Sequence, residues 1–213
     1  FGLPEKKMSS PNNKISLLQW IREVKKMAEK QNDVLGNALC SEYCATLIMK
    51  SVVKFFLDGI EHIESVYLHP ASILIKREEC LKPKDWDSWL SSQKEIEISI
   101  KDSFQDTMYR YPSFSSNDYS PMIGAIYGLG IIFLQLLTKE FSLPWVFNRP
   151  EYGYEWQSVL YRLLEKGKVS SHNYDIISAC LSLENRETIK LKGILNDVAC
   201  AQQVNDAKIE TLE

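Results

Sequence analysis

No Cys-x-x-Cys pair occurs in the 213 residues, and no histidine has a second ligand at the spacing a zinc site requires. Cys40, Cys44, Cys80, Cys180 and Cys200 are odd in number, form no Cys-x-x-Cys and sit mostly inside apolar helical patterns. His62, His69 and His172 have no second ligand near them. This excludes a disulfide framework and a zinc finger, and it leaves reduced thiols in a cytoplasmic or nuclear protein. Charge of one sign is also scarce. The 25 Lys+Arg stand against 28 Asp+Glu, a net charge of -3. No field of that kind concentrates nucleic acid, so no nucleic-acid partner is expected. Long hydrophobic runs are missing too. The longest, 122–137, falls short of the ~20 residues that cross a bilayer. It is interrupted by Gly124, Gly128, Gly130 and Gln135, and no membrane partner is expected. Residues 1–7 have no apolar stretch behind their charges and do not read as a signal peptide.

What is present suffices for one substantial core, since 45% of the residues are hydrophobic. Residues 1–14 are polar, contain Pro4 and Pro11, and read as a leading loop. Ser16 and Gln19 then have capping-box spacing. Leu17, Trp20, Ile21, Val24 and Ala28 follow on one helical face, with Lys25, Lys26, Glu29 and Lys30 mostly opposite. A longer helix is expected over 34–58, with Gly59 near its end. A turn then leads into Ile73, Leu74 and Ile75, a run of strand type, and 81–90 is a candidate for a second strand. Residues 91–120 are polar and Ser-rich, with an alternating Ile96, Ile98, Ile100, and read as a long irregular segment. Ser120 and Pro121 supply an N-cap and a first-turn proline for the helix over 122–137. That helix is apolar on every side and is therefore expected at the centre of the core. Amphipathic helices over 155–166, 174–183 and 188–201 precede a polar tail at 202–213. The fold class expected is mainly α, one domain over 15–201 with one or two short β-hairpin pieces.

In this order the segments resemble the larger lobe of protein kinases. Leu18-Gln19-Trp20-Ile21 is similar to the helix after the kinase hinge. Phe55-Phe56-Leu57-Asp58-Gly59-Ile60-Glu61-His62-Ile63 is similar to the end of the long helix before the catalytic loop. Pro70-Ala71-Ser72-Ile73-Leu74-Ile75 matches the family's Pro-x-Asn-Ile-Leu-Ile. Tyr109-Arg110-Tyr111-Pro112-Ser113 sits where Ala-Pro-Glu closes the activation segment. Ala125-Ile126-Tyr127-Gly128-Leu129-Gly130-Ile131-Ile132 is similar to the Asp-Ile-Tyr-Ser-Leu-Gly-Ile-Ile of the buried central helix, and Ile177 to Leu181 with Arg186 looks like the last helix pair.

The resemblance implies a kinase-like scaffold whose chemistry is gone. Phosphotransfer needs an Asp for the substrate hydroxyl, an Asn and a second Asp for magnesium, and a Lys–Glu pair beneath a Gly-rich loop. Aligned on the family, Tyr67 stands at the base position, His69 at the following Lys and Ser72 at the magnesium Asn. Asp85 falls at the metal-binding Asp but is followed by Trp86 and Asp87 instead of Phe and Gly. Ser113 replaces the Glu that pairs with an Arg, and Ala125 replaces the Asp that braces the catalytic loop. No Gly-x-Gly-x-x-Gly precedes the first helix, so the small lobe has no counterpart. No catalytic residue, metal or cofactor is expected.

Two other constellations carry less. His69, Ser72 and Asp85 lack the glycines of a nucleophile elbow and read as turn residues. Cys40 and Cys44, four apart on a helix, read as small buried hydrophobes. A cluster of Trp145, Phe147, Tyr152, Tyr154 and Trp156, interleaved with Pro144, Pro150 and Gly153, reads as a loop-borne surface for a protein partner. The function expected is a non-catalytic scaffold or interaction module, a pseudokinase larger lobe. One alternative is the kinase non-catalytic C-lobe domain, which binds an actin-nucleator tail and is similar over Ile15 to Ile21 and Asn37 to Cys40. The other is a remnant kinase with weak nucleotide binding.

Overall fold

The computed structural model describes residues 14–30, 41–58, 68–76, 92, 96–100, 121–138 and 155–182. The first element is a short strand, β1 (Lys14–Ser16), followed without a break by α1 (Leu17–Lys30). Ser16 ends the strand and caps the helix, its Oγ accepting the Gln19 N–H at 3.2 Å. Only half of the expected capping box forms. The Gln19 side chain points forward and donates to Glu23 Oε1 at 3.0 Å instead of returning to the Ser16 N–H. Leu17, Trp20 and Ile21 are buried with Val24 packed beside them, the apolar stripe its spacing implies.

The second helix, α2 (Glu42–Asp58), starts later than the expected position 34, and residues 31–40 lie outside the described part of the chain. Ser41 sets its start: the Cys44 N–H donates to Ser41 Oγ at 3.2 Å and the Ala45 N–H to Ser41 O at 3.0 Å. Cys44, Ala45, Leu47, Ile48, Met49, Val52 and Val53 are buried. Ser51 is buried among them and satisfies its hydroxyl on Leu47 O, one turn back.

Two further strands, β2 (Ile73–Lys76) and β3 (Ile98–Ile100), join β1 in a three-stranded antiparallel sheet of order β1-β2-β3. Ile15 faces Ile75, Ile75 faces Ile98, and Ile73 faces Ile100, so one side of the sheet is a ladder of isoleucines turned to the core. On the outer side Lys76 pairs with Glu97 at 2.6 Å, and Lys14 donates to Ser99 at 3.1 Å. The lysine beside Glu97 holds its carboxyl below the usual value.

This sheet differs from the expected hairpin pieces in three ways. Lys14, expected in the leading loop, begins a strand; three residues are too few to leave a periodic signal. The alternating isoleucines, expected in an irregular segment, form β3 with Ile96 buried beside it. Finally, β2 is the central strand with a neighbour on each side, and the second strand expected within 81–90 lies outside the described residues.

The helix expected at the centre is there. It is α3 (Pro121–Leu137), with the proline at its first position, and every residue from Gly124 to Thr138 is buried, Gln135 included. It packs on α2 and most extensively on α5 (Ser171–Leu181), which in turn carries α4 (Glu155–Glu165). The α4–α5 connection closes as a Schellman turn. Gly167 has φ 61°, the Lys168 N–H donates to Leu163 O and the Gly167 N–H to Leu164 O, both at 2.9 Å. The last of the described helices, α5, begins three residues before the expected 174 because Ser170 caps it, accepting the Asn173 N–H at 3.3 Å. Its far end presses against α3 at Gly130. A Cβ there would stand 2.8 Å from Cys180 Cβ and 2.9 Å from Leu181 Cγ. The helix expected over 188–201 and the tail lie outside the described residues. Among those described, no helix is long and apolar enough to cross a membrane.

Burial in this α3–α5 seam pushes the Cys180 thiol up to about 12, from an ordinary 9.0. The folded state holds that proton more tightly than the unfolded chain does. The stability linked to the neutral thiol is therefore complete below the unfolded value and is lost as pH climbs from about 9 towards about 12. Peptide mapping after alkylation should find Cys180 unmodified in the native protein at mildly alkaline pH and modified in urea. Rapid native alkylation would place the thiol outside the seam.

Candidate functional site

The residues singled out for chemistry begin with the turn at 68–72, which leads into β2. The Ser72 N–H donates to His69 O at 2.9 Å, and Ser72 Oγ donates to the same carbonyl at 2.7 Å. Ser72 Oγ also receives the His69 N–H at 3.3 Å, and His69 Nδ1 accepts the Ala71 N–H at 2.9 Å. An Nδ1 that accepts carries no proton, which fixes the ring's neutral form with the hydrogen on Nε2. His69 is 5% exposed and Ser72 1%. The two are joined through the backbone of His69, the serine hydroxyl donating to a carbonyl and not to the imidazole.

Two outside contacts seat the turn. The Leu18 N–H at the start of α1 donates to Pro70 O at 3.0 Å. On the other side Leu68 lies directly on the central helix, where a Cβ at Gly128 would come within 2.9 Å of Leu68 O. Ala125, one turn earlier on α3, is 5% exposed. Tyr67, Asp85, Trp86, Asp87 and Ser113 lie outside the described residues, as do Trp145, Phe147, Tyr152 and Tyr154.

Trp156 is described, and it is not on the surface. It is 7% exposed and belongs to the hydrophobic core. Trp156, Leu160, Leu163 and Leu164 recur at helical spacing, and that stripe, already visible in the sequence, turns the indole towards the core. The aromatic ring that α4 leaves exposed is Tyr161, at 52%. It shares the polar side of the helix with Gln157, Ser158, Arg162 and Glu165, and Arg162 Nε donates to Ser158 O at 3.3 Å.

A second polar cluster was not anticipated. Glu42, in the first turn of α2, reaches the N-terminus of α5. Its Oε1 accepts the Ser170 N–H at 2.7 Å, the Ser170 Oγ–H at 2.6 Å and the Asn173 Nδ2 at 2.6 Å. Asn173 Nδ2 also donates to Thr46 Oγ1 at 3.1 Å, while Asn173 Oδ1 is buried without a partner. One carboxylate thus serves the positive ends of two helices. No local pattern reveals this, since the partners lie 128 residues apart. Glu42→Ala would leave the Ser170 and Asn173 donors without their charged acceptor and should cost about 2 kcal/mol in urea unfolding. Glu42→Gln, which keeps an acceptor, should cost less; equal losses would mean that packing and not hydrogen bonding holds this joint.

Among the described residues no group of three or more His, Cys, Asp or Glu side chains is placed to hold a metal ion. Compared with known proteins, the chain matches no protein-family model and no curated relative.

Proposed function

We propose that this chain is a non-catalytic protein-interaction module, a scaffold built on the plan of the larger lobe of a protein kinase. The observation that carries it is the turn at 68–72. In the resemblance this is the end of the catalytic loop, and its two chemically able side chains are buried and spent on the turn itself. A histidine whose Nδ1 holds the next turn amide, and a serine whose proton is on a carbonyl, hold a loop together and do not meet a substrate. The helix beneath meets the turn at Gly128, close to Leu68 O, and Ala125, which stands at the family's bracing Asp, has no group to hold a catalytic loop.

In the resemblance Asp85 stands alone at the metal position, and Ser72, at the position of the second ligand, has its hydroxyl on the His69 carbonyl.

With Trp156 withdrawn into the core, the partner surface on this part of the fold passes to the outer side of α4. Tyr161 and Arg162 are adjacent there, and both are residue types that dominate binding hot spots. Two measurements test the proposal together. Calorimetric titration with ATP and magnesium should give no saturable binding tighter than about 1 mM. Tyr161→Ala should weaken capture of a protein partner by about 2 kcal/mol, with little change in melting temperature. Saturable nucleotide binding would favour a remnant kinase, and undiminished capture by the variant would move the interface off α4.

A further inference from the structure

We draw no further inference here: the strongest candidate, the polar cluster of Glu42, Thr46, Ser170 and Asn173 where the N-termini of α2 and α5 meet, spends its hydrogen bonds on joining the two helices, and its buried Asn173 Oδ1 asks for no more than a single water.

Discussion

Ile131→Asp should yield no folded protein. Ile131 has 0% exposure near the middle of α3, a helix buried on all sides over the stretch where it stands. An aspartate there must either bury a charge or take up a proton and bury an unpaired acid, at a cost of several kcal/mol. The lost apolar contacts add to this. A domain of ordinary stability holds only about 5–15 kcal/mol in total, so the native state would no longer dominate. Circular dichroism and a urea titration would show the loss. Ile131→Val is the control, expected to cost about 0.5–1.5 kcal/mol and to unfold cooperatively. An aspartate variant that melts near the parent would mean that α3 is not enclosed.

Gly130→Val should be nearly as damaging, and for a reason opposite to helix propensity. Glycine inside a helix is worth about 1 kcal/mol less than alanine, so replacing it by alanine should stabilise α3 if nothing stood nearby. Instead the new Cβ would meet Cys180 Cβ at 2.8 Å and Leu181 Cγ at 2.9 Å. A Cβ is fixed to the backbone and cannot rotate away. The helices must separate, and the two further methyls of valine widen the gap. A loss of about 3 kcal/mol is expected. Cys180→Gly, which removes the opposing Cβ, should recover part of that loss in a double-mutant cycle, giving a favourable coupling between the two positions. Additive losses would show that the tolerance of α3 is set elsewhere.

The central helix, the α1 stripe and the α4 span were legible in the sequence because each depends on local periodicity and residue type. The sheet was legible only at Ile73 to Ile75. Lys14–Ser16 is too short to declare itself, and the alternation at Ile96, Ile98 and Ile100, though visible, lies in a polar, Ser-rich segment whose composition argues for a loop. Those two strands exist because β2 offers them edges, which is a tertiary fact. At the candidate site, His69 and Ser72 were correctly suspected of being turn residues. Their mutual bonding could be guessed from their spacing, as could the inward turn of Trp156 from its place in the α4 stripe. The Glu42 joint could not, since nothing in either segment refers to the other.

That joint also bears on how the chain is made. The carboxylate at the start of α2 waits for donors that lie 128 residues downstream. Translation proceeds at roughly 5–20 residues per second, so the wait is on the order of ten seconds. During it α2 has been synthesised while α5 is still missing, and for most of it α3 is missing or incomplete too. The apolar surface of Cys44, Leu47, Ile48, Met49, Val52 and Val53 is then open to whatever binds nascent chains.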